Sequence, residues 1–175
     1  MGVVVTSSEG ISAILYFLAG YLFTLLAAFI VISVATKRLE DKDLSALAGL
    51  HRRSPLLAAG MAMAMVSLAG VPPLAGFFGK FLLIKAALAQ ALVTSGFFWL
   101  LGVAIFGVLV SFYYYFGVIR AMYWEPAPDD ASALEVSGPM SWALYTCMAG
   151  ILFLGLFPNT VVNLTQFAAQ ALNLP

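Results

Sequence analysis

The stretch VPPLAGFFGKFLLIK, Val71 to Lys85, sets two prolines, two glycines and two lysines inside one of the most apolar parts of the chain. Pro72 and Pro73 supply no backbone N–H and clash with the preceding turn, so carbonyls around Leu68 to Gly70 lose their helical partners. In lipid, each such group costs several kcal/mol unless protein or water satisfies it. If this chain lies in a membrane, the break must therefore face a polar interior.

Composition settles the solvent. Hydrophobic residues make up 63% of the 175 and charged residues only 9%, with a mean hydropathy of +1.02. A soluble domain holds about 45–50% apolar and about 25% charged residues. No charge occurs in residues 10–36, 54–79, 86–119 or 136–175, and each run exceeds the ~20 residues that cross a hydrocarbon core of about 30 Å. The chain reads as an integral membrane protein whose neighbours are lipid and other helices. Its formal net charge is zero and it has no long basic run, which argues against nucleic acid as a partner. The single cysteine, Cys147, can build neither a disulfide framework nor a metal site and reads as packing. The N-terminus lacks a positive region and its apolar run is longer than a signal peptide's, so residues 11–36 read as a retained span.

The pattern implies an all-α, polytopic transmembrane bundle of about four spans in a single membrane domain. The spans fall near 11–36, 55–93, 97–119 and 140–157, and the second is a discontinuous helix broken at 70–79. Ser54 and Pro55 mark a helix start, with a side-chain oxygen to cap free N–H groups and a proline at the first helical position. Leu44, Leu47 and Leu50, three residues apart, suit a short helix on the membrane surface, and TVVNLTQFAAQALNLP suits an interfacial helix with Val162, Phe167, Ala171 and Leu174 on one face. Lys37, Arg38, Lys42, Arg52, Arg53 and Arg120 all fall in loops 37–54 and 120–138, which makes those loops cytoplasmic. This grouping requires residues 55–93 to cross once. A hairpin would put Arg120 opposite the other basic residues and leave halves near or below spanning length.

Gly70, Pro72, Pro73, Gly76 and Gly79 form the break and line any channel there, the glycines letting helices or water come close. Lys80 opens the second half-helix near mid-membrane, where a lysine costs about 2.5–3.5 kcal/mol to insert. The carbonyl end of the first half favours its ammonium and the N-terminal dipole of the second opposes it, so a neighbouring charge can load or unload its proton. Lys85 lies five residues on, about 140° around the helix, and is the weaker candidate for proton transfer. Ser67 and the three tyrosines of SFYYYF, Tyr113, Tyr114 and Tyr115, could lend hydroxyls to a water chain, although tyrosines near a helix end are more often packing residues. GFFGKF lacks the first glycine and the Ser or Thr of a phosphate-binding loop. His51 reads as a solvated loop residue, and no triad is available for catalysis.

Three segments, DLSALAGLHRRSPLLAAGMAMAMVSLAGVPPLAGFFGKF, SFYYYFGVIRAMYW and LFLGLFPNTVVNL, resemble the C-terminal third of subunit N of bacterial NADH-quinone oxidoreductase (respiratory complex I). The resemblance covers nearly the whole chain. It implies an antiporter-like, proton-translocating membrane subunit in which this chain corresponds to helices eleven to fourteen, with helix twelve discontinuous. It also implies that Lys80 matches the family's lysine of the second half-channel. Nothing matches the family's first repeat, so the chain looks like a fragment or a split gene product. The resemblance further implies a bacterial inner-membrane, multi-pass protein that partners the complex's other membrane subunits and carries protons coupled to quinone reduction elsewhere. No redox site or cofactor is expected in this chain; NADH, FMN, iron–sulfur clusters and quinone would belong to other subunits. A subunit of a related cation/proton antiporter or membrane-bound hydrogenase is the nearest alternative. A truncated, non-transporting structural fragment is the second.

Overall fold

The computed structural model describes residues 8–37, 44–93, 96–127 and 133–171. All regular structure among them is helical: α1 (Ser8–Ala35), a 3-10 turn (Leu44–Leu47), α2 (Leu50–Arg53), α3 (Pro55–Ala69), α4 (Ala75–Ala91), α5 (Phe97–Trp124), α6 (Gly138–Leu156) and α7 (Pro158–Ala171). Helices α1, α5 and α6 are long and apolar enough to cross a membrane, and α3 is a shorter apolar helix.

Pro55 occupies the first turn of α3, as the sequence implies, but the Ser54 side chain makes no capping bond. The Ser54 carbonyl instead accepts the N–H of Ala58 (3.1 Å). The break is shorter than the sequence alone indicates. Only residues 70–74 are non-helical, and Gly76 and Gly79 lie inside α4. Helix α5 runs 28 residues, about 42 Å at 1.5 Å per residue, so Arg120 sits on its last turns rather than in the following loop.

Both half-helices follow one another along α1. Thr24 meets Ser67 of α3, with hydroxyl oxygens 3.3 Å apart. A Cβ on Gly20 would lie 3.1 Å from Ala75 Cβ, and one on Gly79 would lie 3.1 Å from the Phe17 ring. Further on, Glu9, Ser12 and Ala13 share a cavity with Lys85 and Ala86. Numbers fall along α1 as they rise through α3 and α4, so the two halves run in the same direction, antiparallel to α1. Helix α6 spans the break from the side. Leu144 packs on Gly60 of α3 and Gly155 on the backbone of Pro73 and Leu74, while the Tyr16 hydroxyl of α1 donates to the Leu154 carbonyl (2.6 Å). The apolar core lies among these helices, with Leu50, Leu57, Met61, Leu144, Ile151 and Cys147 buried.

The segment read as a surface helix behaves differently. Leu47 and Leu50 are buried, plugging the end of the bundle where lipid headgroups would otherwise meet the core. His51 is likewise not a free loop residue. Its Nδ1 donates to the Met122 carbonyl (2.8 Å) and its ring stacks on Tyr123. With Gly49 N–H on the Ala121 carbonyl (3.3 Å) and Leu134 N–H on the Arg53 carbonyl (3.1 Å), these contacts gather Arg52, Arg53 and Arg120 at one end. Arg38 and Lys42 lie outside the described residues. Helix α7 buries Thr165 and Ala169, and Ser12 and Thr165 hydroxyls meet at 2.8 Å. Phe167 is exposed, so the face set inward differs from the one expected; Leu174 lies outside the described residues.

Single cysteines in a Cys147→Ala background test this arrangement in intact cells. Ser45→Cys and Glu135→Cys, at the basic end, are expected to react with a membrane-impermeant maleimide only after permeabilisation, and Val93→Cys without it. Val93→Cys reacting like Ser45→Cys and unlike Glu135→Cys would contradict a single crossing by α3 and α4, and the fully reversed pattern would contradict a cytoplasmic basic end.

Candidate functional site

Helix α3 ends where the prolines require it. Gly70 adopts φ 87°, ψ 41°, a left-handed conformation that only glycine takes without strain. From there the N–H groups of Gly70 and Val71 return to the Val66 carbonyl, each at 3.2 Å. The carbonyls of Leu68 and Ala69 have no such partner in the backbone. Lys80, on the second turn of α4, reaches back and supplies one: Nζ donates to Leu68 O (2.6 Å) and Ala69 O (3.2 Å). A Cβ on Gly70 would stand 3.2 Å from Lys80 Cδ, so glycine there also makes room for the lysine stem.

This contact joins the two halves electrostatically. The C-terminal end of α3 carries the negative pole of its dipole, where a cation is favoured. An ammonium has three donors, and two are engaged. The rest of the group faces a cavity of about 300 Å³ lined by Phe17, Tyr21 and Thr24 of α1, Ser67 and Leu68 of α3, Gly76 and Lys80 of α4, and Ser111 and Tyr115 of α5. That is room for several waters, each about 30 Å³ in liquid, and the hydroxyls give them partners. Ser111 donates to its own helix at Gly107 O (2.7 Å) and can only accept from the cavity.

The sequence candidates separate in space. Gly70, Ser67, Gly76 and Lys80 converge at the break, with Pro72 and Pro73 forming its turn. Gly79 packs on Phe17, at the α1 seam. Lys85 lies elsewhere, exposed, in a second cavity of about 290 Å³ with Glu9, Ser12, Asn159 and Gln166. Tyr113 and Tyr114 are 80% and 65% exposed on the outer side of α5, beside Arg120 and Trp124. Of the three tyrosines, Tyr115 is the one that lines the Lys80 cavity. Thr24, Tyr21 and Ser111 were missed, although each is an isolated polar group in an uncharged apolar run, which is the signal that could have marked them.

A helix broken at mid-length, with a lysine docked on its freed carbonyls and a largely apolar cavity carrying hydroxyl groups beside it, is the arrangement of an antiporter-like membrane protein. Residues 1–111 match the family model described as NADH:quinone oxidoreductase/Mrp antiporter, TM, and the chain belongs to that family. It is 38% identical over 155 residues to NADH-quinone oxidoreductase subunit N of Brevibacillus brevis, covering 89% of this chain and 29% of that protein. It is 37% identical over 169 residues to subunit N of Trichlorobacter lovleyi, covering 96% and 33%. The chain thus spans about a third of the length of these relatives. Among solved structures, it superimposes on a chain of respiratory complex I from Thermus thermophilus with bound aureothin, with a TM-score of 0.74, 32% identity, and coverage of 91% of this chain and 35% of that one.

The two halves also touch closely at Gly76, where a Cβ would collide with the Ser67 carbonyl. Gly76→Ala is expected to lower the stability of the detergent-solubilised protein by about 1–3 kcal/mol, the usual cost of overpacking. Gly102→Ala, which meets nothing within 4 Å, is expected to be neutral or to stabilise by up to ~1 kcal/mol. Thermal unfolding of the two variants beside wild type checks the contrast.

Proposed function

We propose that this chain is part of a membrane subunit of a proton-pumping NADH-quinone oxidoreductase, and that Lys80 is a proton carrier within it. The observation that carries this reading is the docking of Lys80 Nζ on Leu68 O and Ala69 O beside a hydroxyl-lined cavity. The relatives' names, NADH-quinone oxidoreductase subunit N, supply the reaction to which the proton would be coupled.

Protonated Lys80 is held by two carbonyl dipoles and the helix end. Once it gives up its proton it loses the charge that those dipoles favour, and its stem is free to turn toward the cavity. A positive charge arriving in the cavity would expel the proton, and its departure would let Lys80 reload. One unit charge moved against 100 mV requires about 2.3 kcal/mol, so this group would act with charged partners in the rest of the protein and in neighbouring membrane subunits. NADH, FMN, iron–sulfur clusters and quinone would be handled by other subunits, and this chain would contribute no redox step. In a bacterium the complex would sit in the inner membrane, with the end that gathers Arg52, Arg53 and Arg120 in the cytoplasm. A cation/proton antiporter subunit is the second reading, kept because the matching family model's description includes the Mrp antiporter.

The experiment uses inverted membrane vesicles from cells carrying the variants in the complete protein. Lys80→Met is expected to cut NADH-driven proton uptake about tenfold or more, equivalent to a barrier raised by about 1.4 kcal/mol, with electron transfer to quinone retained in part. Lys85→Met is expected to do less. Equal pumping by wild type and Lys80→Met would remove the proposal, and sodium-dependent exchange without any response to NADH would favour the antiporter.

A further inference from the structure

Ser67 and Thr24 are fully buried hydroxyls, 0% and 1% exposed, and their hydrogen bonds have a direction. The Gly76 N–H donates to Ser67 Oγ (3.1 Å). Thr24 Oγ1 donates to the Gly20 carbonyl (2.7 Å), and a threonine has one hydroxyl proton to give. Across the 3.3 Å contact between the two hydroxyls, Ser67 is therefore the donor. The chain runs from Gly76 N–H through Ser67 and Thr24 to Gly20 O. It starts on the first turn of α4, passes the last turn of α3 and ends on α1, so it ties the two halves of the break to one continuous helix.

We propose that Ser67 and Thr24 are positioning residues for Lys80. Gly76 and Lys80 are four residues apart and share a face of α4, so fixing the height of Gly76 fixes the height of Lys80. Ser67 directly precedes Leu68 and Ala69, the two residues whose carbonyls Lys80 must meet. Gly76 has no Cβ, which lets the first turn of α4 lie against the Ser67 carbonyl. Without the Ser67 hydroxyl, the partly buried Gly76 N–H would lose its acceptor, a loss that a shift of the helix start relieves. A shift of even 1 Å would turn the 3.2 Å contact to Ala69 into no hydrogen bond at all. Both hydroxyl protons are committed to this chain, so the pair holds the lysine in place rather than passing its proton on.

The proposal rests on Lys80 as the proton carrier, and the test separates the two. Competitive acetylation followed by mass spectrometry reads how freely Lys80 reacts in the complete membrane-embedded protein, with exposed Lys85 as internal reference. Ser67→Ala and Thr24→Val are expected to raise the Lys80-to-Lys85 labelling ratio several-fold, and Thr24→Ser to leave it at the wild-type value. In vesicles, the first two are expected to lower the protons pumped per electron several-fold while the rate of NADH oxidation stays near normal, and Thr24→Ser to pump normally. Labelling that does not move in Ser67→Ala and Thr24→Val overturns the positioning role alone. Labelling that rises while pumping is unchanged supports the positioning role and overturns Lys80 as carrier. Thr24→Ser behaving like Thr24→Val would also overturn the role, since the hydroxyl would then not be what acts.

Discussion

Two carbonyls, those of Leu68 and Ala69, are left without backbone partners when α3 stops, and the Lys80 ammonium takes both. In an apolar surrounding neither side of this contact is stable alone. Unpaired carbonyls and an unpaired ammonium are each costly to keep out of water. Much of the local structure follows from making the pair possible. Gly70 turns left-handed to end α3 and leaves space for the lysine stem, and Gly76 lets α4 start close enough for the second turn to reach back.

Helix α1 is the scaffold against which the break is built. A helix interrupted in the membrane loses the continuity that normally keeps its two parts collinear, and here that continuity is supplied from outside. Gly20, Phe17 and Thr24 of α1 meet Ala75, Gly79 and Ser67 in succession, and Gly155 of α6 lies on the backbone of Pro73 and Leu74 from another side. Small residues at these crossings let backbones approach closely, which is how helices associate where lipid gives no hydrophobic drive. The backbone of Pro73 and Leu74 is thus packed on protein and Gly70 on the lysine stem, while the residues Pro72 and Pro73 themselves are exposed.

The chain belongs to the NADH:quinone oxidoreductase/Mrp antiporter family, and its two lysine-bearing cavities differ in what they hold. The cavity by Lys80 offers hydroxyls and one ammonium, and the second cavity, by Lys85, joins a carboxylate and a lysine with amides at the other end of α1. Lys80 and Lys85 lie only five positions apart, yet helical geometry turns them to different cavities. A pair of lysines close in sequence is for that reason two separate environments, one docked on carbonyls and one exposed.

The sequence by itself determined the solvent, the helices, the place of the break and the lysine at its edge. Uncharged runs longer than a bilayer, a double proline and a charge in an apolar stretch act within a few residues, and their consequences hold in almost any packing. It also marked Pro55 as a helix start, though not that Ser54 would leave its capping position unused. Only the tertiary structure decided which side chains share the cavity. Helix α5 is apolar nearly all round, so it has no amphipathic stripe to fix its rotation; packing against α3 and α4 turns Tyr115 inward and leaves Tyr113 and Tyr114 outside. The same holds for Thr24 and Ser67, 43 residues apart in the chain, whose meeting depends on how α1 lies along the broken helix. Leu50 and His51 tell it from the loop side. Their charged neighbours place them at a membrane surface, but the open end of the bundle draws both inward, because burying a leucine there gains more than leaving it against the headgroups.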